Sequence, residues 1–410
     1  MERQTIVTIP TTAVYDDCLI SSCLRKIFTK TTKKDEPVII ISKHIADVRP
    51  ALEQLNERSG TELSYAYLAA MEQSLPATGF RYVVIYRDDI PVLFCYFQLI
   101  SLTSQNFSFE KEKSFVKSIF GFFLDLKKIK VLLSGNALRI DTACYSYNES
   151  AMGMDEATKI VASAAERIAD EENASAVILK DIPVSAKLSK WLTSIGYSTP
   201  WKDQVMVLDI APEWQNITDY TAALSRKYRT RANKILAARS EMTILALDAE
   251  DIRQHESTIH KLFTNVADSQ PFVLAHVGKD HFSKLKEVYD DKFELTGFFH
   301  GKKLVAFYSA FVGDDSYELY YVGFDYQANI IYQLYFNLLF SGLERAIELG
   351  KQQLKLGRTS FDAKASLGAM PMDANYFIKT ANIPNVASRW FASYFSAMED
   401  SKWKLRHPFK

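Results

Sequence analysis

The stretch FRYVVIYRDDIPVLFCYFQLI (80–100) predicts a strand, a two-residue polar turn and a second strand. The stretch FELTGFFHGKKLVAFYSAFVG (293–313) has the same order of apolar and polar residues. The two stretches align at one fixed offset, so that Phe80 matches Phe293 and the two turns coincide. Because a match over a whole hairpin indicates an internal repeat, we predict that the second half of the chain repeats the fold of the first.

Each predicted hairpin is followed by an amphipathic or buried helix and a short apolar strand, at 165–183 in the first half and 343–360 in the second. This order predicts a duplicated α/β fold with a mixed sheet. Between the copies, a strand-like segment is followed by Pro212, which marks a boundary. We therefore predict two domains, 1–212 and 213–410.

The composition indicates a well-packed protein without a strong overall charge. The chain has 410 residues, which is about the length of two domains, and 48% of them are hydrophobic. Lys and Arg together number 49, as do Asp and Glu, so the formal net charge is zero. Because a neutral chain lacks the positive field that holds duplex DNA, duplex DNA is not an expected partner.

The start of the chain has no basic segment followed by an apolar run, and no uncharged apolar stretch reaches about 18 residues. We therefore expect a cytoplasmic protein. The spacing of Cys18, Cys23, Cys95 and Cys144 is not that of a zinc site. His255 and His260 are five apart, which does not place them on one helix face, so we expect the histidines between 255 and 300 to be surface residues and expect no metal site.

A predicted helix at about 217–239 has an apolar stripe and otherwise cationic faces. Arg226 and Arg229 point away from the stripe, and no acidic residue lies between Ser225 and Ser240. Arg binds phosphate through a rigid fork of donors, so these two residues are candidate ligands of a phosphate or a charged head group. The alternative is a solvated helix face.

The stretch 111–130 in the first half has aromatic and aliphatic residues on one side of a predicted helix and lysines at both ends. This pattern is typical of a helix that lies on a membrane surface or covers an apolar substrate. The alternative is a helix that faces the core and exposes its lysines. Peripheral contact with a membrane through 111–130 is therefore one expected interaction.

The densest group of candidate site residues follows a strand in the second half. A strand at 317–324 leads through a polar turn into a helix at about 330–349, which Gly350 ends. The next strand ends at Gly357, and polar residues come directly after it. Ligands of α/β sheets usually bind beyond the carboxyl ends of the strands, so this loop is a predicted binding site.

In that loop, Arg358 and Lys364 are candidate ligands of a phosphate or carboxylate, with Ser366 close to them. Gly357 permits close approach of a ligand to the backbone. The alternative is a turn in which Arg358 pairs with Asp362.

A resemblance to a known family rests on four segments. They are the hairpin 293–313, the stretch YYVGFDYQANIIYQLYFNLLFSGLERAIELG (320–350), the stretch LKLGRTSFDAKASLGA (354–369) and, upstream, SRKYRTR (225–231). Together they resemble the GNAT-type acyltransferases of the FemAB-like and BioF2-like group, many of which consist of two tandem GNAT folds. The resemblance covers most of the chain. It implies transfer of an acyl group from a thioester, or of an aminoacyl group from an ester, to an amine. Members related to peptidoglycan bridge formation take the aminoacyl group from charged tRNA.

The chain departs from the usual GNAT pattern in one turn. GNAT enzymes have a Q/RxxGxG/A turn whose backbone amides hold the pyrophosphate of coenzyme A at a helix start. The corresponding turn GFDYQANI (323–330) lacks these glycines. The resemblance then implies a grip by amides near Asn329, with charge from Arg226, Arg229 and Arg358. Acyl-CoA or an acyl carrier protein thioester is the expected co-substrate, and no tightly bound cofactor is expected.

Direct attack by an amine requires a proton source for the leaving thiolate and a proton acceptor for the amine. Tyr321, near the end of the central strand, is the predicted general acid, and Asp325 or Glu318 is the predicted base or water-positioning group. The alternative is that Tyr321 is a core tyrosine. The second domain is predicted to carry the active site, and the first to be mainly structural and to shape the substrate.

The sequence therefore predicts an N-acyltransferase that acts on a small-molecule or lipid-like amine. Three alternatives stay open. One is an aminoacyl-tRNA-dependent FemAB-like ligase that acts on a peptidoglycan precursor, with tRNA as its partner. Another is an acyltransferase for a long-chain thioester or lipid, and the third is a non-catalytic ligand-binding module.

Overall fold

The structure of the chain is a computed structural model. It describes residues 5–7, 37–55, 61–107, 125, 129–183, 185–198, 201–270, 272–380 and 403–410. Most of the stretch 111–130, which was predicted as an amphipathic helix, lies outside these residues, as do Cys18 and Cys23.

The chain forms two compact units. As far as they are described, the first contains Met1–Asp203, Leu274–Val277 and Ala374–Ser388, and the second contains Gln204–Val273, Gly278–Asp373 and Arg389–Lys410. This division differs from the predicted domains 1–212 and 213–410. Most of the strand Trp201–Asp209 belongs to the second unit, and most of the strand Met370–Thr380 belongs to the first.

The first unit has a mixed sheet with the strand order β1-β2-β3-β4-β5-β7-β14, in which β6 pairs with β4. Among the described strands of this unit, only β5 and β7 are paired in parallel. The strands are β1 (Thr5–Val7), β2 (Val38–Ser42), β3 (Thr78–Arg87), β4 (Ile90–Leu102), β5 (Ile129–Ser134), β6 (Tyr145–Tyr147), β7 (Ala176–Lys180) and β14 (Met370–Thr380). The helices are α1 (Arg49–Leu55), α2 (Tyr65–Ser74), α3 (Met154–Glu172) and α4 (Ala186–Ser194).

The second unit repeats this arrangement with the strand order β9-β10-β11-β12-β13-β8. Within the part of this unit that the structure describes, only β12 and β13 are paired in parallel. The strands are β8 (Trp201–Asp209), β9 (Thr243–Ala246), β10 (Phe293–His300), β11 (Lys303–Val312), β12 (Ser316–Phe324) and β13 (Gln353–Gly357). The helices are α5 (Ile217–Ala223), α6 (Arg226–Ala238), α7 (Ala249–Ala267), α8 (His281–Tyr289), α9 (Tyr326–Tyr332), α10 (Leu334–Glu348) and α11 (Phe361–Ala365).

The register of the two hairpins confirms the predicted repeat. In the first hairpin Phe80 pairs with Gln98, and at the equivalent position of the second Phe293 pairs with Phe311. The pairing register also shifts at equivalent positions, between Ile85 and Tyr86 in the first hairpin and between Phe298 and Phe299 in the second. A two-residue turn joins the strands in each copy, as predicted. The side-chain alternation and turn chemistry are local, which is why the sequence reveals them.

Two predicted helices are each divided in the structure. The helix predicted at about 217–239 consists of α5 and α6, because Leu224 and Ser225 have extended backbone. The helix predicted at about 330–349 is divided at Gln333, whose φ of 50° is left-handed, into α9 and α10. No helix in the described part of the chain is long and apolar enough to span a lipid bilayer.

The sheet of the second unit is covered on both faces by helices. On β11, Phe307 packs against Phe282 of α8, with 5.3 Å between the ring centroids. The next residue, Tyr308, points the other way and belongs to the core cluster that contains Leu338 and Phe340 of α10. Because neighbouring strand residues alternate between the faces, α8 and α10 lie on opposite sides of the sheet.

Candidate functional site

The candidate site is built around the parallel strands β12 and β13. They pair through three rungs, of which the last joins Glu318 to Lys355. Beyond it, β12 continues to Phe324 and β13 to Gly357, but the two strands no longer pair with each other. The carboxyl ends of parallel strands that separate in this way form the kind of crevice in which α/β proteins bind ligands.

The equivalent strands of the first unit, β5 and β7, are tied together at their carboxyl ends. After three paired rungs, the Ser134 hydroxyl accepts a hydrogen bond from the Lys180 amide (2.8 Å) and donates one to the Lys180 carbonyl oxygen (3.3 Å). Gly135 then has a φ of 76°. The two copies therefore differ at the one place where a crevice between parallel strands would open.

A bulge in β12 displays two tyrosines side by side. The pairing with β11 shifts register so that Tyr320 and Tyr321 both lie opposite Ser309. The Ser309 hydroxyl bridges the bulge, because it accepts from the amide of Tyr321 and donates to the carbonyl oxygen of Tyr321, both at 3.2 Å. A bulge of this kind redirects side chains and is common near active sites.

Both bulge tyrosines face helices α7 and α8. The ring of Tyr321 lies 5.0 Å from that of Phe263 and 4.4 Å from that of Tyr320. The Tyr320 hydroxyl is hydrogen-bonded to Nε2 of His281 at 3.0 Å. Burial lowers the pKa of His281 to about 3, so this ring is neutral at pH 7. The expectation of surface histidines is therefore wrong for His281, and no local sequence signal indicates its pairing with Tyr320.

The two predicted carboxylates lie in different environments. Asp325 is the N-cap of α9, where it accepts hydrogen bonds from the amides of Gln327 (2.9 Å) and Ala328 (3.2 Å). The Ala328 hydrogen bond, together with Lys303 at 3.2 Å, lowers the pKa of Asp325. A capping carboxylate with a lowered pKa is a weak proton acceptor. Glu318 instead occupies the last paired rung of the parallel strands and is half-buried.

The turn after β13 is held from inside by a buried lysine. Gly357 has a φ of 73°, and the Lys364 ammonium donates hydrogen bonds to the carbonyl oxygens of Gly357 (3.1 Å) and Arg358. Lys364 is only 4% exposed, whereas the Arg358 side chain is exposed. Lys364 was predicted in a loop, but it lies in the short helix α11. Asp362 of this helix pairs with Arg406 at 3.0 Å.

In the native protein the free energy of unfolding is expected to rise with pH because of Lys364, and replacement of Lys364 by methionine is expected to remove this pH dependence. Burial lowers the pKa of Lys364 to about 7, from 10.5 in the unfolded chain. Between these values the unfolded chain binds a proton that the folded chain releases, so the free energy of unfolding rises with pH by a few kcal/mol. Below pH 7 both states are protonated and the contribution is constant.

The measurement is chemical denaturation of the native protein and of Lys364→Met at several pH values from 7 to 10. The difference in unfolding free energy between the two is expected to grow with pH, because only the native protein has the buried amine. Lys261→Met, which replaces an exposed lysine of α7, is the control. A difference that does not change with pH would contradict the expected titration of Lys364.

The remaining predicted ligands lie on α6 and on the helices after β12. Arg226 is exposed in the first turn of α6, and Arg229 donates a hydrogen bond from Nη2 to the Leu224 carbonyl oxygen at 3.2 Å. The side-chain oxygen of Asn329 accepts from the amide of Tyr335 at 2.9 Å, which links α9 to α10. These contacts shape the backbone around the site. No group of His, Cys, Asp and Glu within the described ranges is arranged to hold a metal ion.

Ser366 follows α11 and lines a cleft together with residues of helix α6. Its hydroxyl donates to the Ala363 carbonyl oxygen at 2.6 Å, and it lines a shallow cleft with Tyr228, Arg231 and Phe336. The structure therefore brings Lys364 into contact with Gly357 and Arg358, whereas the Ser366 hydroxyl contacts Ala363. Arg231 is the α6 cation that lines this cleft. The predicted ligands on α6, Arg226 and Arg229, are not among the residues that line it.

The segment 403–410 covers this turn, which the sequence did not indicate. The Trp403 ring stacks on Phe361 with 5.6 Å between the centroids. The ring of Phe409 lies directly over Gly368, where a Cβ atom would come within 2.3 Å of it. Gly368 therefore permits the close approach of this segment.

No protein-family model matches the chain, and no curated protein matches it. Among solved structures, FemX is 10% identical, with 85% of this chain and 98% of FemX covered and a TM-score of 0.50. A tandem GNAT protein from the clavulanic acid biosynthesis pathway is 10% identical, with coverages of 85% and 100% and a TM-score of 0.47. L-PGS from Bacillus licheniformis is 12% identical, with coverages of 80% and 94% and a TM-score of 0.43. At these identities the likeness is one of fold. The chain is thus similar to FemX in fold over most of its length. The strands and helices of the two units confirm the predicted mixed α/β class.

Proposed function

We propose that the protein transfers an acyl group from a thioester to an amine, at the carboxyl ends of β12 and β13. The difference between the two copies carries this proposal. Ser134 ties β5 to β7 in the first unit, whereas β12 and β13 stop pairing after Glu318 and Lys355. A crevice between parallel strands suits an extended acyl carrier, and the bulged tyrosines lie on the strand that forms its edge.

In the proposed step the amine nitrogen attacks the thioester carbonyl carbon, so that a C–N bond forms and the C–S bond breaks. Tyr321 donates a proton to the leaving thiolate, and Glu318 accepts the proton that the amine loses. Glu318 is preferred over Asp325 because the Asp325 carboxylate already caps α9 and has a lowered pKa. No covalent enzyme intermediate is needed.

Arg358 is the proposed anion ligand for the donor. Its side chain is exposed directly after β13, and the buried ammonium of Lys364 holds the carbonyl oxygens of the turn in place. The phosphates of an acyl-CoA are anions that an arginine fork binds well, so acyl-CoA is the proposed donor. An acyl carrier protein thioester and an aminoacyl-tRNA also present phosphates, and a thermal-shift test separates acyl-CoA from tRNA.

The test is a thermal-shift series with coenzyme A, acetyl-CoA, acyl-CoAs of increasing chain length and tRNA. A ligand that binds only the folded state raises the melting temperature, and we expect acyl-CoA to do so. Arg358→Ala is expected to reduce the shift. Lys279→Ala, which removes one positive charge from an exposed position of the same unit, is expected to retain it.

The pattern of responses identifies the donor. A shift that grows with acyl chain length would indicate a long-chain or lipid-like acyl group, because each buried methylene contributes about 0.8 kcal/mol. A salt-sensitive response to tRNA alone would favour the aminoacyl-tRNA-dependent ligase. If neither a thioester nor tRNA shifts the melting temperature and no thioester is turned over, the acyl-transfer proposal is wrong and the non-catalytic binding module takes its place.

A further inference from the structure

Helix α9 of the second unit exposes two adjacent isoleucines. Ile330 is 75% exposed and Ile331 is 67% exposed, more than any other exposed large hydrophobic residue in the described part of the chain. Tyr326, one helical turn before Ile330, is 44% exposed. Residues four apart in a helix share a face, so Tyr326 and Ile330 form one apolar ridge with Ile331 beside it.

Helix α6, which contacts α9, is strongly cationic. Arg226, Lys227, Arg231 and Lys234 are all exposed, and the helix contains no acidic residue. Within the described residues, none of these four side chains has a carboxylate partner. At 100° per residue, the last three lie within one narrow arc of the helix.

Helices α6 and α9, which carry the cationic arc and the isoleucines, are joined by a buried side chain. The side-chain amide of Asn337, which is 1% exposed, donates hydrogen bonds to the carbonyl oxygens of Ile235 in α6 (3.0 Å) and of Tyr332 in α9 (2.9 Å). The guanidinium of Arg231 lies 4.6 Å from the ring centroid of Phe336, which belongs to α10, the helix that follows α9. The cations of α6 therefore border the helix that exposes the isoleucines.

We propose that this surface, the apolar ridge of α9 with the cationic arc of α6, docks on an anionic lipid bilayer. Aliphatic side chains enter the boundary between head groups and acyl chains, while Lys and Arg attract the anionic head groups. A single-stranded RNA would gain little from the isoleucines, because bases stack on aromatic rings. A symmetric contact between two copies would bring the same cations against each other.

The experiment is co-sedimentation of the full chain with vesicles of phosphatidylcholine, with and without phosphatidylglycerol. Binding is expected only to the anionic vesicles and is expected to weaken at high salt. The double variant Ile330→Ser with Ile331→Ser is expected to bind about tenfold more weakly or worse, because the apolar contact is lost. The double variant Lys227→Glu with Lys234→Glu is expected to lose a similar factor.

Two controls are matched to these variants. Leu245→Ser removes another exposed apolar side chain of the second unit, and Lys261→Glu with Lys292→Glu makes the same charge change elsewhere. Both are expected to bind as the native protein does. Three outcomes would overturn the proposal: no binding to anionic vesicles, binding that the isoleucine variant leaves unchanged, or dimers in sedimentation that this variant dissociates. Strong tRNA binding that needs the lysines but not the isoleucines, without vesicle binding, would assign the surface to RNA instead.

Discussion

Replacement of Gly323 by alanine is expected to lower the free energy of unfolding by about 3 kcal/mol or more, which is the upper range for an overpacked core. A Cβ atom at this position in β12 would lie 2.4 Å from a ring carbon of Phe307 and 2.6 Å from the carbonyl carbon of Leu262. It would also lie 2.7 Å from the amide nitrogen of Phe263. Two of these atoms belong to the backbone of α7, so the whole helix has to move.

The measurement is equilibrium denaturation of Gly323→Ala beside Gly153→Ala. Gly153 precedes α3 with a φ of −87°, and a Cβ atom there meets nothing within 4 Å. The Gly153 variant is therefore expected to change stability by less than about 1 kcal/mol. Equal unfolding free energies for the two variants would contradict the expectation that a Cβ atom at Gly323 forces α7 away from β12. Because α7 carries Phe263, which packs on Tyr321, we also expect the Gly323 variant to disturb the site.

Replacement of Tyr321 by phenylalanine is expected to lower kcat for acyl transfer about a hundredfold or more, with little change in KM. The phenylalanine keeps the ring contact with Phe263 and removes only the hydroxyl that would protonate the leaving thiolate. General acid catalysis contributes a factor of about 10²–10⁴ to such reactions. The measurement is steady-state turnover with the acyl-CoA that gives the largest thermal shift.

Tyr320→Phe is the matched comparison, because it removes a hydroxyl from the neighbouring residue of the same bulge. Its expected effect is on stability, by about 1–3 kcal/mol, since the buried ring of His281 loses the hydrogen bond to the Tyr320 hydroxyl. Its effect on kcat is expected to be smaller than that of Tyr321→Phe. If Tyr321→Phe retains the native kcat while Tyr320→Phe loses it, Tyr320 is the proton donor and the role predicted for Tyr321 is wrong.

Features that depend on neighbouring residues could be predicted from the sequence. The hairpins at 80–100 and 293–313 show the alternation and polar turns of paired strands, and their pairing registers agree at equivalent positions. The strand that ends at Gly357 and the helix end at Gly350 were also predicted correctly, because glycine marks positions that need positive φ. The same local reasoning placed Arg358 directly after this strand, but it placed Lys364 in a loop, whereas Lys364 lies in α11 and reaches back to the turn.

Features that depend on distant partners could not be predicted. The helix predicted at 217–239 is interrupted at Ser225, whose amide donates a hydrogen bond to the Pro408 carbonyl oxygen at 2.8 Å. Pro408 lies near the other end of the second unit in sequence. The bulge at Tyr320 and Tyr321 arises from the register with β11, which the strand's own residues do not reveal. The pairing of His281 with Tyr320 likewise joins two elements that are separate in the chain.

The sequence by itself determined the duplicated α/β order, the two hairpins and the position of the turn after β13, because alternation, turn residues and glycine act over a few residues. Only the tertiary structure decided that β12 and β13 part after Glu318 while Ser134 ties the equivalent strands of the first copy. It also decided that Lys364 is buried beneath its turn and that Ile330 is left exposed. Burial and strand separation depend on what packs against a residue from elsewhere in the chain, and a linear pattern does not specify those neighbours.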